Sequence, residues 1–387
     1  MKVPENLIFS LFQEQDSRIR RQLAEKSLEI GTGRKYKNVS DDPSATYNIV
    51  ELKREVSQLS QYAKNRLFAD TSLSYTDLNL GKIADSLNLL YSKAIQAKNQ
   101  VLQPDQLKAM GEFFLSSLRS LLDRVNDQLG GNYLFGGASL TEKPFDENTL
   151  EYRASSENFK VWLSENYQVD TFLNGAQVFG LNVAISRASF SNPDDGFTNA
   201  GVLNIRVGNT SISISYSAGQ NLRNLVDYIN TNYSQTLKAD VTQNPDGTFS
   251  LMLMSVDLGK DISVSDTSGG DFSIGFYNPN VLEVVKRIGN KLSNSLYPDD
   301  SDLVILQRSF DKVSFGRSRV GSVLSQLKNL QSVQESLKDN LEKQKSDIED
   351  ADLSQSIMEY TRYKLAYEAL MRIIADQKDM TILRYLR

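Results

Sequence analysis

Cysteine and histidine are both missing from this 387-residue sequence. Their absence removes disulfide staples, thiolate nucleophiles, imidazole bases and the ordinary zinc sites together, so most enzyme mechanisms lose their usual parts. Long apolar runs are missing as well: none approaches the ~20 residues that cross a bilayer, and no membrane insertion is expected. The N-terminus lacks a basic region followed by an apolar core and a small-residue cleavage site, so the Sec route is not expected either. The formal charge is only -5, with cationic and anionic residues interleaved, which leaves a nucleic-acid surface without compositional support.

What is present is a globular composition, 40% hydrophobic, in a chain long enough for two or three domains with real cores. The stretches that organise the chain lie at its two ends. From Asp347 to Arg387, the residues Leu353, Ile357, Tyr360, Tyr363, Tyr367, Leu370 and Ile374 recur three or four apart, the spacing of one helix face. Leu383 lies further on, and no proline or glycine interrupts the segment. Near the start Phe12, Ile19, Leu23 and Ile30 keep the same kind of spacing. Neither amphipathic helix has an obvious complete partner within one chain, and the two stripes, comparable in width, are expected to pack together as a coiled coil in an assembly of copies.

Between them the chain changes character twice. Gly31 and Gly33 end the first helix, and Ser40, Asp41, Asp42 and Pro43 form a helix-helix turn that caps the next. The second helix is expected from about Pro43 to Leu102, with Leu52, Leu59, Leu73, Leu80, Leu87 and Val101 in one heptad phase and Val56, Ala63 and Ala84 beside it. Arg66, Asp70 and Asp77 interrupt that seam. Pro104 restarts a helix with the stripe Leu115, Leu118, Leu122, Val125 and Leu129, which Gly130-Gly131 ends. From roughly 131 to 280 the pattern is mainly strand-like, including a β-β-α-β-β module. Leu203, Ile205 and Val207 alternate in its first strand and Ile212, Ile214 and Tyr216 in its second, followed by a helix face of Leu222, Leu225, Val226 and Ile229. Strands at Leu237–Val241 and Phe249–Leu253 are joined through the turn Asn244-Pro-Asp-Gly247. Helices then return with Val313, Val320, Leu327, Leu341 and Ile348 in one phase and Val323, Leu330, Leu337 and Ala351 in the next. Gln334 and Gln344 are polar members of this seam, of the kind that can fix register, unless they simply face solvent.

The adjacent carboxylates Asp41-Asp42, Asp194-Asp195 and Asp299-Asp300 are the candidates for calcium binding or acid/base chemistry. All lie in turn-like sequence, where adjacent aspartates more often cap helices, and no twelve-residue calcium-loop pattern appears. Gly136-Gly137 and Gly269-Gly270 lack the Lys-Ser/Thr of a phosphate loop and read as turns. No catalytic, cofactor or metal residues are expected. Tyrosine on a helical stripe is more often core or subunit contact than a stacking platform.

Several short runs carry a family likeness over nearly the whole chain. Gly31-Thr-Gly-Arg34 followed by Ser40-Asp-Asp-Pro43, the Gly131-Asn-Tyr-Leu-Phe-Gly-Gly137 run with Pro144-Phe145 after it, and Ile382-Leu-Arg-Tyr-Leu386 resemble the bacterial flagellin superfamily. Gly175 with Val178-Phe179, and Ala218-Gly219 through Ile229-Asn230, resemble elements of its central domains. Flagellin proper usually has a Lys-Asp-Asp-Ala type sequence where this chain has Ser40-Asp-Asp-Pro43, a difference that favours the members joining hook to filament. The apolar start, with Pro4, Leu7, Ile8, Phe9, Leu11 and Phe12, departs from the family's polar one.

The resemblance implies a structural protein exported through the flagellar type III apparatus to the outside of the cell. It implies a ring of identical subunits that templates flagellin, lying between another hook-associated protein and the filament, with a cytosolic export chaperone beforehand. Sequence and resemblance together predict a mainly α fold with a β-rich insert (α+β), a long coiled-coil helical rod from both termini. The expected segments are N-terminal assembly helix 1–42, rod 43–130, β-rich outward-facing domain 131–280, rod 281–350 and C-terminal assembly helix 351–387. Phe12, Ile19, Leu23, Ile30, Tyr363, Leu370, Ile374 and Leu383 are the expected assembly contacts. The alternatives are a minor flagellin, a carboxylate-based hydrolase, for which no residue pair is selected, and a coiled-coil adhesin, for which no anchor is seen.

Overall fold

The computed structural model describes residues 5–35 and 42–385, with side chains described over 10–35 and 42–376. In chain order it has α1 (Glu5–Thr32), α2 (Pro43–Asn99), α3 (Pro104–Val125), β1 (Gln128–Leu129), β2 (Asn132–Tyr133), β3 (Phe159–Ser164), β4 (Tyr167–Phe172) and α4 (Gly175–Phe179). Then follow β5 (Val183–Ser186), β6 (Gly201–Val207), β7 (Thr210–Tyr216), α5 (Leu222–Asn232), β8 (Leu237–Gln243), β9 (Phe249–Ser255), β10 (Ile262–Asp266) and β11 (Phe276–Tyr277). The chain closes with α6 (Val281–Ser293), α7 (Asp300–Glu349) and α8 (Leu353–Tyr385). The fold is mainly helical with a β-rich insert, as expected. One compact unit holds Lys64–Asn329; the other holds the residues before and after it, so α2 and α7 supply helix to both.

In the unit of residues 64–329, the heptad leucines Leu73, Leu80 and Leu87 of α2 are fully buried. Asp77, which interrupts the seam, pairs with Arg317 of α7 at 3.0 Å, and Asn79 reaches the carbonyl of Arg124 and the carboxylate of Asp127 at the end of α3. Val101 does not continue the seam: it lies beyond α2 and is 97% exposed. The α3 stripe also needs correction. Its buried face is Leu107, Phe114, Leu118, Leu121 and Val125, with Gly111 placed where α6 crosses so closely that a Cβ would meet Ser293 Oγ at 2.4 Å. Leu129 belongs to the β1–β2 hairpin, because Gly130 and Gly131 both take positive φ, as a two-residue hairpin turn requires. On α7 the seam residues Val313, Val320 and Leu327 are buried.

The β-β-α-β-β module is present, but its two hairpins belong to different sheets. Strands β6 and β7 join β10 in the order β10-β6-β7, and β8 and β9 join β5 and β11 in the order β11-β5-β9-β8, all antiparallel. One core lies among the sheets and α5, filled by Leu203, Ile205, Val207, Leu225, Ile229 and Leu253 with their neighbours. Strand β9 is buried on both faces: Leu251 and Leu253 enter this core while Met252 and Met254, absent from it, are also buried. Its Phe-Ser-Leu-Met-Leu-Met sequence is therefore nearly continuous in apolar residues rather than strictly alternating.

The family-like runs that are far apart in sequence meet in space. Phe135, Phe145 and Phe179 pack edge to face, with ring centroids 4.8 Å and 5.8 Å from Phe179, and Tyr152 stands 5.3 Å from Phe145. Gly175 donates its N–H to the carbonyl of Phe135, at a point where a Cβ would meet Tyr152 and Phe145 ring atoms at 2.8 and 2.9 Å. Edge-to-face contacts add to the apolar burial of each ring.

The same unit contains a buried ionic cluster. Lys291 of α6 is fully buried and donates to Asp302 and, at 3.1 Å, to Asp299; Arg287 Nε stands 3.7 Å from Asp302 Oδ1. Asp299 also accepts from the N–H groups of Gln243 and Asp302, which ties the start of α7 to β8. Burial, with the charge of Asp299 added, pushes the Asp302 carboxyl up to about 6 against the pull of Lys291 and Arg287. The Asp299 carboxyl, though opposed by burial, is held below its usual range, chiefly by Lys291.

Two outcomes follow. Gly175→Ala should destabilise this unit by about 1 to 3 kcal/mol through overpacking, read as a lowered urea midpoint with unchanged slope. Asp302 has a folded pKa above its unfolded value, so its contribution is complete below about pH 4 and is lost as pH rises through about 6. Asp302→Asn should therefore gain on the wild type, by on the order of 2 kcal/mol, between pH 4 and pH 7 in denaturant titrations. A constant difference across that range would exclude the assignment.

Candidate functional site

The terminal helices, read from sequence as lacking a complete partner within the chain, pack along one another. Lys26 bridges to Glu359 at 3.0 Å, Ser356 donates to Glu29 at 2.9 Å, and the Arg20 guanidinium lies 5.4 Å from the Tyr367 ring centre. Partner numbers fall on α8 as they rise on α1, so the pair is antiparallel. This register puts Leu23 at the level of Tyr363 and Phe12 at the level of Ile374. Phe12, Ile19, Leu23, Ile30, Tyr363, Leu370 and Ile374 are all half-buried. The side chain of Leu383 lies outside the described residues. Hydrogen bonding to Glu29 raises the pKa of Lys26, with Glu359 adding to it against desolvation; the hydrogen bond from Lys26 is the main cause lowering that of Glu359.

Pairing covers only part of each helix. Leu11 and Leu28 on α1, and Leu353, Ile357, Met358, Leu365 and Ile373 on α8, stay exposed, Met358 by 66%. Leu353 and Ile357 thus leave the stripe that their spacing suggested, since Ser356, Glu359 and Tyr360 take the facing positions. On α7, Leu337 is likewise exposed. Gln334 is buried in its seam, while Gln344 faces solvent.

The helix ends meet at a junction that sequence reasoning missed. The segment after Asp347 is not one helix: α7 stops at Glu349 and α8 starts at Leu353, with Asp352 Oδ1 accepting from the N–H groups of Ser354 and Gln355. An Asp just ahead of a periodic run was the signal available for this cap. Across the break, Ala351 donates its N–H to the carbonyl of Gly33, and Lys35 donates to the carbonyl of Glu349, both at 2.9 Å. These bonds flank the antiparallel bridge between Arg34 and Asp350. Glu349 is buried, and its Oε1 takes Lys53 Nζ at 2.8 Å and Arg34 Nε at 3.3 Å. The predicted turn is described only in part. Asp42 Oδ1 accepts from the N–H of Ala45 ahead of Pro43, an N-cap as expected, whereas Ser40 and Asp41 lie outside the described residues.

The other candidate pairs act as caps and turns. Asp194 pairs with Arg223 on the surface and Asp195 accepts from the N–H of Asn192; Asp300 pairs with Lys98. Gly137 spends its N–H on the carbonyl of Leu173, so it is not offered to a phosphate. Among the described residues no acidic group is arranged to hold a metal ion, and no helix is long and apolar enough to cross a membrane.

Comparison with known proteins gives two family matches: the bacterial flagellin N-terminal helical region over residues 6–139 and the flagellin C-terminal helical region over 303–386. Together they cover more than half of the chain. A curated relative, flagellar hook-associated protein 3 of Salmonella typhimurium, is 27% identical over 152 residues, 39% of this chain and 48% of that protein. The chain thus spans about half the length of that relative. Polar flagellin C of Vibrio parahaemolyticus is 21% identical over 91% of this chain and 90% of its own length. Among solved structures, flagellar hook associated protein-3 from Legionella pneumophila shares the fold, with a TM-score of 0.54 at 16% identity over 78% of this chain and 98% of that one.

Leu23→Asp should separate α1 from α8, whereas Leu28→Asp on the exposed side of the same helix should not. The expected readout is faster proteolysis at both ends of the chain for the first variant only, with the middle unchanged. Equal rates for the two variants would contradict the register given above.

Proposed function

The chain belongs to the flagellin family, and on that premise we propose that it is a structural component of the bacterial flagellum, forming the junction between hook and filament and templating flagellin polymerisation. One observation supports this most. The helices at the ends of the two family regions meet as an antiparallel pair that still leaves several large apolar side chains uncovered. Burial of such a side chain contributes roughly 1.5 to 3 kcal/mol, so neighbouring copies in a ring gain at every repeat by covering them.

In this reading 1–42 and 351–387 are assembly segments, and Phe12, Ile19, Leu23, Ile30, Tyr363, Leu370, Ile374 and Leu383 belong to their contacts. The β-rich residues 131–280 face outward. The partners are further copies of the chain, a hook-associated protein on the hook side and flagellin on the filament side. A cytosolic chaperone precedes type III export to the outside of the cell, and the role involves no catalysis or cofactor.

A minor flagellin is the second reading, favoured by the likeness to polar flagellin C along nine-tenths of the chain. Deletion separates the two. A junction protein leaves intact hooks, no filaments and flagellin lost to the medium. Filaments of normal length in the deletion strain would remove the junction reading.

A further inference from the structure

We propose that Glu349 is a positioning residue, a clasp that makes the paired terminal helices and the helix ends they spring from move as one body in the assembled junction; this rests on the junction reading. Two helix ends, α1 at Gly33–Lys35 and α7 at Asp350–Asp352, are the points at which the α1/α8 pair could turn relative to the adjoining ends of α2 and α7. Left independent, they would let the pair swing. They are joined at one level instead. The hydrogen bonds from Ala351 to Gly33 and from Lys35 to Glu349 turn both breaks into a single short antiparallel ladder, with Arg34 opposite Asp350.

Backbone bonds alone connect only the two breaks. The Glu349 side chain adds the third member, because the same oxygen that takes Arg34 also takes Lys53 from about the third turn of α2. The geometry around it is asymmetric in a telling way. Glu349 is 7% exposed, while its two cationic partners are about half exposed or more. A buried carboxylate deprived of its partners is strongly unfavourable, whereas the cations are free to return to water, so the clasp acts through the acid. Opening either hinge separates Glu349 from Lys53 or Arg34, and so resists bending at both. Ser356 to Glu29 and Lys26 to Glu359 carry the connection on into the helix pair.

The test uses the full chain in place of the chromosomal copy, and the absence of cysteine lets a disulfide replace the clasp. Residues 34 and 350 are opposite each other between the two flanking hydrogen bonds, the close type of antiparallel pair, with Cα atoms near 4.5 Å apart and within disulfide reach. Glu349→Gln should leave export of the protein and filament growth in place but raise flagellin shed under a fixed shear several-fold. Adding Arg34→Cys and Asp350→Cys to that variant should return shedding to the wild-type level when oxidised and not after dithiothreitol. Wild-type shedding by Glu349→Gln, or high shedding despite a disulfide seen as a gel shift, would overturn the clasp. If Glu349→Gln fails to be exported, nicking of purified chains decides. Cleavage near 33–35 and 350–352 should rise several-fold over wild type and fall back in the oxidised triple variant, and equal rates would reject the idea. Failure of the junction reading looks different, since it leaves normal filaments in the strain lacking the gene.

Discussion

A helix with an apolar stripe must cover it, and here the two helices most in need of cover are separated by some three hundred residues of sequence. Their antiparallel pairing sets conditions on everything between. The chain that leaves α1 has to return to the start of α8, so everything between the two helices lies within one closed excursion of the sequence. In sequence the β-rich part is an insertion between long helices, and its strands are antiparallel, some paired as local hairpins (β6-β7, β8-β9) and some across longer separations (β10-β6, β5-β9).

The two units solve the problem of order by different means. In residues 64–329 the closed cores hold place by shape: edge-to-face phenyl rings, a glycine with no room for a methyl group, and Lys291 fully buried between acids. Among the described residues, the apolar contacts along the terminal helix pair are half-buried, and Ser356 is one of few side chains there that are fully committed. On the proposed junction reading, half-burial suits a surface completed by further copies, because side chains fully spent within one chain have nothing left to offer a neighbour.

Much of this was legible in sequence where one physical signal dominated. Heptad leucines such as Leu80 and Leu87, the alternation of Leu203, Ile205 and Val207, and the Asn244-Pro-Asp-Gly247 turn each follow from a local period or a backbone preference. The misses share a cause. Leu353, Ile357 and Leu337 fit an apolar period yet are exposed, because period fixes a face and not the width of its partner. Leu129 was absorbed into a helix since a Gly-Gly pair both ends helices and turns hairpins, and only the tertiary position of β2 decides. Glu349 carries no local signature at all. Its role comes from Lys53 and Arg34, some three hundred residues away, and charge partners at such separation leave no periodic trace in one sequence.

Apolar stripes also leave register loosely specified, and that gives the charges at the junction their meaning. On α1 and α8 the facing residues are Leu, Ile, Phe and Tyr repeated at nearly equal spacing, so sliding one helix by a turn exchanges one apolar contact for another of similar size. Polar contacts do not tolerate the same slip. Moving α8 by one turn, about 5.4 Å, would take Ser356 from Glu29 and Glu359 from Lys26, and would break the backbone bond from Ala351 to Gly33. Hydrophobic burial thus favours pairing, while a few polar contacts select a single register from several of similar burial. The selection is concentrated at the end of the pair where the helices are anchored, which is where an error in register would be passed on to α2 and α7.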